Sequence, residues 1–275
     1  MKNFKIFQFL SFFASRVPRP ASLFTRYAFL ISLILIMITS GCGKKGPVRP
    51  KLTSLPEAPR ELALHQQGNL FVLGWTIPTA NEDGSKAEDL VGFRIRRLTY
   101  DAADGCPTCR EPQIEVAELD ITYPAPGQRI GKRLYWRDVD IRLNNGYRYA
   151  ITPLTLGGHE GPSATIHLAV QPPPPSPTDL QVEAGDAQVT VQWSAPVLSA
   201  NMSLIGYNLY RRQAKRPFPI VPVNAKPLKE TRLLDRGLDN GRAYEYRVSA
   251  LVRIGNQQLE SMTGPGALIT PQKGR

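Results

Sequence analysis

Apolar and polar residues alternate over short stretches through most of this chain. Phe71, Leu73 and Trp75 occupy every second position, as do Val189, Val191 and Trp193. Each triplet turns one face of a strand toward a core. Phe93 and Ile95 alternate with Arg94 and Arg96, which predicts a half-buried strand with its arginines outward. Tyr147 and Tyr149 keep the same period, as do Tyr244, Tyr246 and Val248. No long stretch carries the 3.6-residue apolar period of an amphipathic helix. Gly (22) and Pro (25), with Asn and Asp, punctuate the apolar runs and predict an all-β protein.

The pattern occurs twice. Trp75-Thr-Ile-Pro78 matches Trp193-Ser-Ala-Pro196. Residues 92–97, Gly-Phe-Arg-Ile-Arg-Arg, match residues 206–211, Gly-Tyr-Asn-Leu-Tyr-Arg. The stretch from Asp138 through Leu143 to Tyr147 and Tyr149 matches that from Asp235 through Leu238 to Tyr244 and Tyr246. About seven short strands per copy, separated by turn residues, predict a two-sheet sandwich for each. Both copies resemble fibronectin type III domains. The resemblance rests on Pro59 and Pro177 at the domain starts, Trp75 and Trp193 on the second strand, and Gly92-Phe93 and Gly206-Tyr207 on the third. It continues through Leu143 and Leu238 to the corner residues Tyr147 and Tyr244. It implies two tandem immunoglobulin-like sandwiches, over residues 59–171 and 178–272, with Trp75, Trp193, Tyr147 and Tyr244 as core signature.

Trp75 and Tyr147 stand 72 positions apart, but Trp193 and Tyr244 only 51. The first domain therefore carries 21 extra residues, most of them expected around 100–134. Residues 172–177, Pro-Pro-Pro-Pro-Ser-Pro, lie between the domains. They are expected to form a semi-rigid spacer holding the sandwiches end to end.

The N-terminal part has a different character. Residues 1–27 carry Lys2, Lys5, Arg16, Arg19 and Arg26 and no acid, and residues 28–39 are almost wholly apolar. A 12-residue apolar run is shorter than the about 20 residues of a membrane span, so it reads as an export signal. Residues 38–42, Ile-Thr-Ser-Gly-Cys, resemble the lipobox of bacterial lipoproteins, with Thr39 where that family prefers Leu. An ordinary signal peptide is the alternative. The resemblance implies cleavage after residue 41, diacylglycerol on Cys42, and a fatty-acylated amino terminus. Gly43, not Asp, follows, which by the sorting rules of that family implies the outer membrane. Residues 42–58 are Pro-rich and polar and are expected to be an extended tether of up to about 50 Å. Their first six residues, Cys-Gly-Lys-Lys-Gly-Pro, also resemble the start of small outer-membrane lipoproteins that attend lipopolysaccharide assembly.

Removing the five basic residues of the leader takes the formal charge from +11 to +6. Nucleic-acid binding is not expected of so mild a balance in an exported chain. Cys106 and Cys109 make an even pair once Cys42 is acylated, and a local disulfide is the reading in an oxidising compartment. A thioredoxin-type redox pair would need a helix N-terminus, and no helical pattern follows. A zinc site would need two further ligands, yet His65, His159 and His167 show no paired spacing. The acidic residues 81–89 read as a solvated loop rather than a calcium site. Arg94, Arg96 and Arg97, with Arg211 and Arg212, form either a solvated strand face or a basic stripe. No nucleophile, metalloprotease or phosphate-loop motif is present. The expected function is non-catalytic, without cofactor or metal. It is a binding or scaffolding lipoprotein, held at the membrane by Cys42 and facing an envelope protein or cell-wall polymer. An accessory polysaccharide- or peptidoglycan-binding module is the alternative, and it requires an exposed aromatic platform. A redox protein using Cys106 and Cys109 is a third reading.

Overall fold

A computed structural model describes residues 54–274. The signal, Cys42 and most of the tether lie outside the described residues. Every regular element among the described residues is a strand. The first half contains β1 (Arg60–Gln67), β2 (Leu70–Thr76), β3 (Leu90–Asp101), β4 (Ile114–Asp120), β5 (Gln128–Ile130), β6 (Arg133–Asp138), β7 (Asn145–Thr155) and β8 (Ala164–Ala169). The second contains β9 (Thr178–Gly185), β10 (Gln188–Ser194), β11 (Met202–Gln213), β12 (Arg232–Arg236), β13 (Tyr244–Ile254), β14 (Gln257–Glu260) and β15 (Ala267–Ile269).

Each half is a sandwich with its own core. In the first, β1-β2-β6-β5 faces β4-β3-β7-β8. Phe71, Leu73 and Trp75 of β2 and Leu134 and Trp136 of β6 pack against Phe93 and Ile95 of β3 and Tyr147, Tyr149 and Ile151 of β7. In the second, β9-β10-β12 faces β11 and β13, with β14 and β15 along β13. Val189, Val191 and Trp193 there meet Tyr207, Leu209, Tyr246 and Val248. Each such side chain contributes roughly 1.5–3 kcal/mol by leaving water. Trp75 meets Phe93 edge-on at 5.5 Å, and Trp193 meets Tyr207 at 5.3 Å, both at 70°. Tyr147 and Tyr244 are buried, and each hydroxyl accepts a bond from the backbone N–H five residues upstream, Arg142 at 3.0 Å and Asp239 at 3.1 Å. The repeated glycine of the third strand also has a physical cause. A Cβ on Gly92 or Gly206 would sit 2.5 Å from the carbonyl oxygen of Leu119 or Leu228 on the adjoining segment.

The extra length of the first half becomes β4, β5 and the loop 102–113. β4 pairs with β3 along its edge, where the second half has only an isolated bridge, Tyr207 to Leu228.

Two expectations are corrected. The sandwiches are not spaced end to end by the proline segment. β1 pairs with β14 in parallel, Gln66 with Leu259 and Gln67 with Glu260, so one eight-stranded sheet runs through both halves. The segment 171–177 is a strap beside this joint: Gln66 donates to the Gln171 carbonyl at 2.7 Å, and Ser176 donates to that of Met262 at 2.7 Å. Nor is the tether free up to residue 58. Pro56 bridges to Asn81, and the Glu57 and Glu82 amides donate to Ala80 and Leu55. Those bonds fasten residues 55–57 to the loop after β2.

Candidate functional site: the polar seam between the sandwiches

An isolated sandwich leaves alternate residues of each strand facing water. In β2 this rule fails, because every residue from Phe71 to Trp75 is buried. Val72, on the outer face, is buried where the two halves meet, as are Gln66 and Gln67 of the first half and Tyr210, Ile220 and Leu251 of the second. The segment between β11 and β12 lies across the outer face of the first half. Gln128 of β5 grips it as a strand neighbour would, donating to the Phe218 carbonyl at 3.2 Å and accepting from the Ile220 amide at 2.8 Å. Arg137 of β6 donates to the Pro219 carbonyl at 2.9 Å.

Glu260, at the end of β14, is the centre of the seam and only 2% exposed. Its Oε1 accepts from Gln67 Nε2 at 3.0 Å, from the Tyr210 hydroxyl at 2.7 Å, and from Ser249 Oγ. Its Oε2 stands 4.0 Å from His65 Nε2. Desolvation lowers the His65 pKa from its ordinary value, outweighing the pull of Glu260 in the other direction, while Arg137 adds to the lowering. Burial, with Glu260 beside it, pushes the Tyr210 phenol well above its ordinary range. Burial also pulls the Arg137 guanidinium down. A cleft of about 300 Å³ opens on this seam, walled by both halves. The alternation of β1, β2, β6 and β14 is silent about the seam, since its residues occupy positions that read as solvent-facing. The nearest signal is Leu70 and Val72, apolar residues on the outer face of β2.

The residues singled out from sequence fall elsewhere. Cys106 and Cys109 are exposed and form a disulfide in the loop between β3 and β4. Arg148 of β7 anchors that loop, donating to the Arg110 carbonyl at 2.9 Å and pairing with Glu111 at 3.2 Å. The arginines of β3 form no free basic stripe. Arg94 reaches Glu115 at 3.0 Å, Glu118 at 2.8 Å and Glu160, and Arg96 reaches Glu160 at 2.6 Å. Hydrogen bonds from Arg96 and Arg94 hold Glu160 below the usual carboxylate range. In the 81–89 loop, Asp83 accepts from the Ser85 hydroxyl and amide, which hold it at about 2.

Arg97 and Arg211 do something the outward reading missed. Arg97 and the Tyr149 hydroxyl both bond Asp138, each at 2.7 Å, and Arg211 and the Tyr246 hydroxyl bond Asp235 at the same distances. All six residues sit at matching places in the sequence repeat. The recurrence of Asp138 and Asp235 eleven positions before Tyr149 and Tyr246 was the available signal.

With this geometry, the second half can be assigned to a class. Residues 174–263 match the fibronectin type III domain family. Among solved structures, the FN1–FN3 domains of chicken CNTN1 align at 16% identity and a TM-score of 0.31, covering 80% of this chain and 69% of that one. A myokine structure aligns at 18% identity and a TM-score of 0.29, covering 36% of this chain and 99% of that one.

Proposed function

We propose that this protein is a non-catalytic scaffolding or binding lipoprotein of a bacterial cell envelope. Acylated Cys42 anchors it to the outer membrane, and its paired sandwiches present surfaces to a protein or cell-wall polymer there. The observation that carries the reading is the β1–β14 joint. It makes one stiff body of two sandwiches, as a module that holds partners at fixed separation requires. The fibronectin type III match supports a binding module, and the exposed Cys106–Cys109 disulfide suits an oxidising compartment. The tether leaves from the end of the first sandwich that carries the loop after β2. The disulfide loop lies beyond Asp101, at the other end of β3 from that loop. More than one acyl chain is needed for stable anchoring, which triacylation at Cys42 would meet. Membrane fractionation and intact-mass measurement test the anchor. The wild type should sediment with membranes and carry lipid mass at residue 42, and Cys42→Ala should be soluble or unprocessed. An unchanged fraction and mass in the variant would end the proposal.

A further inference from the structure

We propose that the seam cleft binds a neutral sugar ring, with Glu260 as its buried hydrogen-bond acceptor and Tyr135 as its aromatic platform. At about 300 Å³ the cleft falls at the lower end of small-molecule sites, about 300–1,000 Å³. Its acceptor is half used. A carboxylate offers about four lone-pair positions. All three donors reach Glu260 on Oε1, and Oε2 accepts no hydrogen bond among the described residues. His65 at 4.0 Å is beyond hydrogen-bond reach of it. Oε2 is not among the buried polar atoms that lack a partner, so it opens to the cleft, where a ligand hydroxyl can take the place of water on a charged acceptor.

The surrounding charges select the donor. An anion would face the Glu260 carboxylate. An ammonium would face Lys226 in the same wall and Arg137 behind Tyr210. A hydroxyl meets neither repulsion. Asn208 and Gln258 line the cleft as well, and their amides supply both donors and acceptors to a ring carrying several hydroxyls.

The platform is Tyr135. It alternates with the core residues Leu134 and Trp136 and therefore stands on the outer face of β6, half-buried in the cleft wall. Gly74 makes room for it: a Cβ there would lie 2.9 Å from Tyr135 Cδ1 and Cε1, so any larger residue would lift the ring off β2. An aromatic face beside directed polar groups is what a sugar needs, since its ring has apolar C–H faces and a polar rim. The inference is independent of the lipid anchor, and failure of either leaves the other standing.

Saturation-transfer NMR on the full chain in detergent tests it. The probes are the methyl glycosides of glucose, galactose and N-acetylglucosamine, with putrescine and inorganic phosphate as charged comparators. At least one glycoside should show transfer. Tyr135→Ala and Gln258→Ala, each checked for native circular dichroism, should weaken its binding about five- to tenfold, the scale of one lost contact. Tyr123→Ala, on an exposed loop, should leave it unchanged. Gln258 is exposed on β14, so its variant tests the site even where Tyr135→Ala disturbs the seam. The proposal is overturned by absence of transfer to every glycoside, by undiminished transfer in both cleft variants, or by binding of putrescine or phosphate alone.

Discussion

The Arg97–Asp138–Tyr149 group makes the sharpest stability prediction. Asp138 is 4% exposed and accepts on Oδ2 from Arg97 and Tyr149 and on Oδ1 from the Asp140 amide at 3.0 Å. Asp138→Ala leaves a buried phenol and a mostly buried guanidinium without their acceptor. Breaking a buried pair from one side costs about 3–5 kcal/mol. Arg97 keeps the Asp140 carbonyl at 2.9 Å, which places the expected loss toward the lower figure. Tyr149→Phe removes one hydrogen bond to a charged acceptor, a loss of about 1.5–3 kcal/mol. The double variant should lose less than the sum. Once the Tyr149 hydroxyl is gone, the acceptor removed by Asp138→Ala is no longer missed there, and a coupling of about 0.5–3 kcal/mol is expected. Urea unfolding followed by tryptophan fluorescence reads all three, with Trp75 and Trp136 in the same core. The matching set, Asp235→Ala and Tyr246→Phe, should show the same sign and a smaller size. Arg211 is 31% exposed against 14% for Arg97, and water there takes over part of the lost bond. Additive losses, or less than about 1 kcal/mol for Asp138→Ala, would refute the buried-network reasoning.

Two further outcomes follow from the same structure. Burial first, and then Asp138, Glu260 or Asp235, holds the phenols of Tyr149, Tyr210 and Tyr246 well above their ordinary value of 10.0. Their folded pKa values are raised, so the stability they contribute is full below pH 10 and lost above it, by up to about 1.4 kcal/mol per pH unit for each. Alkaline unfolding should steepen above pH 10, and Tyr149→Phe should make the slope shallower; an equal slope would count against the assignment. Replacing Cys106 and Cys109 by Ser should free the loop 102–113 in hydrogen exchange while lowering global stability by no more than about 2 kcal/mol, given so short a ring. A larger loss would mean that the loop supports the core.

The sequence reached the core and stopped at the outer faces. Alternation marked Phe71, Leu73 and Trp75 because a strand's period sorts inside from outside within one sandwich, and all three lie in the first core. The repeat added the corner tyrosines and the glycines that admit a close carbonyl, since both arise from local backbone geometry. Arg97 and Arg211 were misplaced for a physical reason. Each keeps the core-facing phase of its strand, in step with Phe93 and Ile95 or with Tyr207 and Leu209, and stands opposite Tyr149 or Tyr246 in the register, so it was the charge of the side chain and not its place in the period that suggested an outward face. Arg94 and Arg96 do stand on the outward face, and period alone says nothing about where a long side chain ends: their partners Glu115, Glu118 and Glu160 come from other parts of the chain. The proline strap looked like a spacer because composition reports stiffness but not what the ends are bonded to.

The seam was invisible for a different reason, and that reason bears on what it does. Its contacts use residues suited to water: Gln66, Gln67, Gln128, Arg137 and Glu260. Where the joint is apolar, at Leu70 and Val72, the alternation of β2 is broken, but apolar contacts alone would have tolerated sliding. A joint made of directed hydrogen bonds tolerates little. Shifting β14 by one residue against β1 would take Glu260 from Gln67, turn its carboxylate to the other face, and leave Tyr210 and Ser249 without an acceptor. A buried carboxylate stripped of its donors is costly enough to make that register unique. Rigid separation between two sandwiches and a fixed cleft between them are therefore two consequences of one choice of side chains. Among the described residues Glu260 Oε2 accepts no hydrogen bond, and it opens to the cleft that this register fixes.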